Sequence, residues 1–277
     1  MTPRVVATDL DGTIVRSDGS ISSRTRRALE AAEAAGAMVV IVTGRPPRWL
    51  RGIAEATGHH GLAICANGAI VWDLHTEQVV ESNPIDADTV RQIASLLRTE
   101  LPDLGFAVEA VGAGFRHEPA YRARWTTDEQ TIVAELEALL SHPVAKLLAR
   151  HEGLTADELL VQARRVVGAE MATLTHSSRE GLLEISAAGV TKASTLTTLC
   201  AERGYGADEV VAFGDMPNDL PMLRWAGLGY AMANAHDEVL AAADHVVGHH
   251  AEDGVALALE ALLFGRNVNG HKGFAGW

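Results

Sequence analysis

Short, unbroken apolar runs recur at both ends of this chain, and most lead into a stretch of helical composition. Val5-Val6-Ala7-Thr8, Met38 to Val42, Leu62 to Cys65 and Val210 to Phe213 show no apolar–polar alternation. A strand of that kind has no wet face, so other elements must cover both of its sides. The intervening stretches supply that cover. They are Ser22 to Ala35, Pro46-Pro47 to about Gly58, Thr191 to Arg203, Pro217 to Trp225, His236 to Ala243 and Val255 to Phe264. Ser22 or Ser23 is a suitable N-cap and Gly36 a terminator for the first of them. Leu228 to Met232 and His245 to Val247 continue the alternation as short strands, and Asn67-Gly68 turns Leu62–Cys65 back into Ala69 to Trp72 as a hairpin. The pattern predicts an α/β fold, a mostly parallel, Rossmann-like sheet with helices on both faces.

The middle of the chain reads differently. Ala87 to Leu101 has the spacing of an amphipathic helix, and Gly105 to Glu118 that of two strands around Gly112 and Gly114. Thr127 to Leu140 reads as a helix, Val144 to Ala149 as a strand, Thr155 to Val167 as a helix, and Met171 to Thr175 and Leu182 to Ser186 as strands. This α+β stretch is expected to form an inserted domain over 84–183, with the core made from 1–83 and 184–277. The Gly-rich tail from Gly265 to Trp277 is expected to be mobile.

The balance of 36 Asp+Glu against 23 Lys+Arg gives a net charge of −13, which disfavours nucleic acid and anionic membrane surfaces as partners. No run approaches the roughly 18 apolar residues of a membrane helix, and the N-terminus lacks a signal-peptide pattern. Cys65 and Cys200 are too few for a disulfide framework and follow apolar residues, so both are expected to be buried thiols. A cytoplasmic protein without an obligate protein partner is the expectation.

Chemistry gathers at the ends of the apolar runs, where open parallel sheets bind ligands. Asp9-Leu10-Asp11-Gly12-Thr13 follows the first run. Two residues apart on an extended chain, Asp9 and Asp11 are expected on one side. Alone, this segment reads as an acidic surface turn. Gly214-Asp215-Met216-Pro217-Asn218-Asp219 follows a second buried run and brings further carboxylates to the same sheet edge. Such hard oxygen donors suit Mg²⁺, with Asn218 and Asp219 in a supporting role, although an N-capped helix opening at Pro217 is compatible with the same residues. Thr43-Gly44-Arg45 offers a hydroxyl and backbone N–H groups to an anion. Lys192 stands at a helix start, a position usually exposed.

In order, Asp9-Leu10-Asp11-Gly12-Thr13, Thr43-Gly44-Arg45, Lys192 and Gly214 to Asp219 resemble the four motifs of the haloacid-dehalogenase (HAD) superfamily. The inserted domain, Asn67-Gly68-Ala69, Ala231 to Ala235 and Glu252 to Val255 resemble its Cof-like, type IIB phosphatase branch. Ala193 and Ala233 stand where relatives often carry glycine. The resemblance implies Asp9 as a nucleophile that forms an aspartyl-phosphate, and Asp11 as acid and then base. It implies Thr43 and Lys192 as holders of the phosphoryl oxygens, and Gly44, Arg45 and Asn67 as substrate-binding residues. Mg²⁺ would be held by Asp9, the backbone carbonyl of Asp11, and Asp215. The implied activity is hydrolysis of a small phosphomonoester, a sugar phosphate first. A phosphomutase or phosphotransferase on the same scaffold and a non-catalytic phosphometabolite-binding protein are the alternatives.

Elsewhere, the pairs His59-His60 and His249-His250 lack metal spacing and read as solvated loop residues. In the insert, Arg116-His117-Glu118 to Arg124 and His176-Ser177-Ser178-Arg179 are polar clusters placed to reach a substrate across a domain cleft, or else are solvated loops.

Overall fold

The structure, a computed structural model, describes residues 3–123 and 131–265. The chain begins with β1 (Val5–Thr8), α1 (Ser23–Ala34), β2 (Met38–Val42), α2 (Arg51–Thr57), β3 (Leu62–Cys65), β4 (Ile70–Asp73) and β5 (Gln78–Ser82). It continues with α3 (Ala87–Glu100), β6 (Gly105–Ala110), β7 (Gly114–His117), β8 (Ile132–Val133), α4 (Leu136–Leu139), β9 (Val144–Thr155), α5 (Ala156–Ala163), β10 (Ala172–Thr175) and β11 (Glu180–Ala187). It closes with α6 (Lys192–Glu202), β12 (Val210–Gly214), α7 (Leu220–Trp225), β13 (Leu228–Met232), α8 (Asp237–Ala242), β14 (His245–Val247) and α9 (Gly254–Phe264).

The outer segments form an eight-stranded sheet in the order β14-β13-β12-β1-β2-β3-β4-β5. It is parallel from β14 to β3, and the β3–β4–β5 meander is antiparallel. Alternate residues of the central strands enter two separate cores. Val6, Val39, Ile41, Val211 and Phe213 pack with residues of α1, α2 and α9, while Val5, Ala7, Val40, Val210 and Ala212 pack with those of α6, α7 and α8. Each fully buried Val or Ile of this kind contributes about 1.5–3 kcal/mol relative to exposure. The sheet is therefore dry on both faces, as the unbroken runs require. Caps fix two helix entries: Ser22 accepts from the Thr25 N–H, and Thr191 exchanges side-chain bonds with Ser194 at the start of α6.

The middle segment forms a six-stranded sheet in the order β10-β11-β9-β6-β7-β8. One face carries Phe106, Val108, Leu147, Ala149, Leu183 and Ile185 against α3, α4 and α5. The alternate residues Glu109, Lys146, Leu148, Leu182 and Glu184 line a cleft shared with the first sheet.

Several expectations are corrected here. The division at 183/184 cuts through β11, whose Glu184 and Ile185 pair with Leu148 and Leu147 of β9, so the second sheet extends to Ala187. The expected strand Val144–Ala149 runs on to Thr155, and β5 joins the first sheet beyond the expected hairpin. In place of a helix over Thr127–Leu140, the described part holds β8 and the single turn α4. Residues 127–130 lie outside the described residues, as do Arg124 and the tail beyond Gly265. His59 is buried against Glu33, at 2.7 Å, rather than solvated. Both cysteines are free and buried.

Candidate active site

Asp9 leaves the end of β1 with its N–H donating to the Phe213 carbonyl of β12 at 3.0 Å, which locks the two strand ends together. Lys192, the first residue of α6, is 1% exposed, and its Nζ lies 2.6 Å from both Asp9 Oδ1 and Asp219 Oδ1. The other Asp219 oxygen accepts the N–H groups of Asp215 and Met216, each at 3.0 Å. Both Asp219 oxygens are thus engaged by protein donors. Ligand oxygens of Asp9, Asp215 and Asp219 lie within 4.8 Å of one another.

These carboxylates share a single ammonium. Burial, followed by the field of the neighbouring carboxylates against that of Lys192, lifts Asp9 to about 7 and Asp215 to about 9. Burial opposes the charge of Lys192, but Asp219 and Asp9 outweigh it and hold the ammonium pKa above its ordinary value. The cluster is short of positive charge. A divalent cation fits that deficit, because the donors are hard oxygens, and Asn218, which borders the same cleft as Asp9, has a buried Oδ1 with no hydrogen-bond partner. Asp9 and Asp215 are the residues with oxygen to offer, while Asp219 holds Lys192 and the loop.

Gly12 makes this packing possible. Its φ of +76° suits glycine, and a Cβ there would stand 2.2 Å from Asp215 Oδ2. Asn234 donates to the Gly12 carbonyl at 2.8 Å, and so ties the Ala231–Ala235 segment to the acidic loop.

Asp11 borders the same cleft as Asp9. The chain turns at Leu10, and the exposed Asp11 carboxylate meets Arg45 through two bonds of 2.7 and 2.5 Å. Thr43 is buried, and its Oγ1 accepts the Arg45 N–H at 3.1 Å. Asn67 sits in the left-handed region at φ 60° on a turn whose N–H groups at 66 and 67 donate to the Arg45 and Thr43 carbonyls. Asp9, Asp11, Thr43, Gly44, Arg45 and Asn218 all border the cleft of about 210 Å³ between the two sheets.

The second sheet supplies residues that the sequence reading missed. Lys146 donates to Glu184 at 2.6 Å and to the Gly44 carbonyl at 2.9 Å, and Glu184 accepts from Asn67 at 3.1 Å. Arg48 pairs with Glu109 through two bonds across the same seam. Strand alternation was the available signal, since Lys146 and Glu184 are polar residues on the face opposite the helices. Of the two polar clusters expected to reach the cleft, Ser177 lines it. Arg116 instead turns to Ser141 at 2.9 Å.

His176, Asp157 and His236 form another group bridging the two sheets' domains, at 2.9 and 3.3 Å. The Glu238 N–H donates to His236 Nδ1, which leaves the ring proton on Nε2 and makes the contact with Asp157 a hydrogen bond.

A strand-end Asp paired with a buried Lys and a second carboxylate loop accord with the four motifs, and a mostly antiparallel sheet lies over them. A family profile described as haloacid dehalogenase-like hydrolase matches residues 6–259. The chain belongs to that family. It is 31% identical over 267 residues to the pyridoxal phosphate phosphatase YbhA of Escherichia coli (strain K12), covering 92% of this chain and 97% of that protein. It is 30% identical over 256 residues to the 5-amino-6-(5-phospho-D-ribitylamino)uracil phosphatase YcsE of Bacillus subtilis (strain 168), covering 92% and 94%. Its fold matches that of the HAD subclass IIB sugar phosphatase BT4131 with a TM-score of 0.76 at 23% identity, covering 93% and 98%. This HAD chain is therefore an enzyme, a hydrolase of the phosphatase type, with the Cof-like, type IIB architecture. No helix among the described residues is long and apolar enough to cross a membrane.

Proposed function

We propose that the chain hydrolyses a small phosphomonoester through an aspartyl-phosphate on Asp9, with Mg²⁺ held by Asp9, the Asp11 carbonyl and Asp215. The observation that carries this reading is the buried Lys192 ammonium clamped between Asp219 and Asp9, the latter bordering the cleft between the two sheets. Lys192 keeps Asp9 oriented and offsets the charge that an incoming phosphoryl group brings. When bound, the cation would supply the remaining positive charge for that phosphoryl group.

One Asp9 oxygen forms the bond to phosphorus as the bond to the leaving oxygen breaks. Asp11, protonated, gives its proton to that leaving oxygen, and as a carboxylate it then takes a proton from the water that releases inorganic phosphate. Asp11 must leave Arg45 to do so. With 61% of the Asp11 side chain exposed, water screens the pair and the exchange is inexpensive. Thr43 donates its hydroxyl to a phosphoryl oxygen, and Gly44, Arg45 and Asn67 line the substrate side. Asn218 and Asp219 support the metal residues.

Among the described residues, 3–83 and 188–265 form the core, and 84–123 with 131–187 form a cap that closes the site and excludes water. Sugar phosphates are the first substrates to try. Pyridoxal phosphate and the ribitylaminouracil phosphate named for the two relatives come next. Two buried free thiols suit a reducing, cytoplasmic setting.

A phosphate-release screen across such esters, with Mg²⁺ and with chelator, tests the reading. Metal-dependent release is expected from wild type and none from Asp9→Asn, which keeps the shape of the site. Release by Asp9→Asn at a substantial fraction of the wild-type rate would refute Asp9 as nucleophile. Tight ligand binding without turnover in wild type would make the protein a sensor.

A further inference from the structure

We propose that Lys146 and Glu184, two cap residues outside the four core motifs, are positioning residues that set the catalytic geometry of the core. The inference rests on the phosphatase reading above. Their side chains are only 5% and 4% exposed. A buried ion pair is a poor source of stability, because desolvation consumes most of the attraction. Its geometry is what stands out here.

Lys146 Nζ fixes the Gly44 carbonyl at 2.9 Å. That carbonyl belongs to the same rigid peptide plane as the Arg45 N–H, which donates to Thr43 Oγ1 at 3.1 Å. By holding one end of the plane, Lys146 keeps the other end on the Thr43 oxygen and leaves the Thr43 O–H free to donate into the cleft. Glu184 does the same for an amide pair. Its Oε2 accepts from Asn67 Nδ2 at 3.1 Å, so Asn67 Oδ1 faces Asn218 Nδ2 at 3.0 Å. The other end of that amide, Asn218 Oδ1, is buried and has no hydrogen-bond partner. The loops after β2, β3 and β12 are therefore tied to one another through two side chains of the opposite sheet. Cap closure assembles the site as well as covering it.

Kinetics of wild type, K146M, K146R and the neutral double variant K146M/E184Q test this with p-nitrophenyl phosphate and acetyl phosphate, whose leaving groups differ in bulk. The double variant avoids a lone buried charge and is expected to melt cooperatively. Its kcat is expected to fall by about 10- to 100-fold, the scale of an ångström-level misplacement, with KM little changed. The fall should be equal for both substrates, and K146R should recover most of the loss seen in K146M. Unchanged kcat in a folded double variant would reduce the pair to a fastening between layers. Unequal losses would mean that the pair touches the leaving group, and would also overturn the proposal. If the double variant does not fold, failure of K146R to recover activity at a wild-type melting temperature overturns it. Wild type inactive on both esters and on the wider screen is a separate result, and removes the phosphatase reading and this inference together.

Discussion

Gly12 shows how tightly the acidic site constrains single residues. A methyl group there meets Asp215 Oδ2 at 2.2 Å, and the +76° φ disfavours any side chain. Gly12→Ala is expected to cost about 1–3 kcal/mol of stability through backbone strain alone. It should also lower metal-dependent turnover by displacing Asp215. Urea unfolding and phosphate release measure the two effects, and wild-type values in both would remove the steric argument. Asp9, Thr43 and Asp215 were legible because each stands at the end of an unbroken apolar run, whereas Lys192, after Gly189-Val190-Thr191, stood out only by its order among the motifs. What the sequence does not indicate is the partner of Asp11, since its pairing with Arg45 depends on the bend at Leu10 and on a loop 34 residues away. Lys146 and Glu184 were passed over because each is an isolated polar residue in an apolar strand. Their meaning depends on a partner strand 38 residues away in the sequence.

The elements divide the same way. β1, β2, β3 and β12 were legible because their neighbours cover both faces, so composition and position agree. β9 was truncated at Ala149 because its last residues, His151 to Thr155, are polar and look like a turn. Pairing with β11 across a register shift between Glu180 and Leu182 holds this extension in the sheet. The single helical turn of α4 and the two-residue β8 have too little sequence to carry a period, so the stretch before Val144 was read as one helix. β9 is nevertheless the spine of the second sheet, with Leu147 fully buried toward the helices and Lys146 facing the cleft. Leu147→Ala is expected to destabilise the protein by about 2–5 kcal/mol through lost burial and a residual cavity. A denaturation midpoint equal to that of wild type would show that this layer adds little to global stability.

On the scale of the whole molecule, the −13 net charge has its sharpest expression where Asp9, Asp215 and Asp219 meet around Lys192. Without a cation, Asp9 titrates near 7 and Asp215 near 9, both above the 3.8 of a free carboxyl. Between about pH 4 and those values the folded chain holds protons that the unfolded chain has released, so stability falls as pH rises. In chelator the thermal midpoint is therefore expected to drop from pH 5 to pH 8, and Mg²⁺ should flatten that slope by replacing the protons. Identical slopes with and without the metal would argue against a cation at Asp9 and Asp215.

The pairing at the centre of the large sheet also sets an order in time. Val5 lies beside Val210, so β1 cannot complete its place until the whole inserted layer has been translated. Strands β6, β7, β9 and β11 find one another within their own stretch of chain, and contacts that close short loops form sooner than those that close long ones. On a ribosome, Asp9 emerges before Lys192 and Asp215. On the proposed roles, a nascent chain is chemically silent until those two residues have joined it, so competence to hydrolyse follows the folding of the inserted layer.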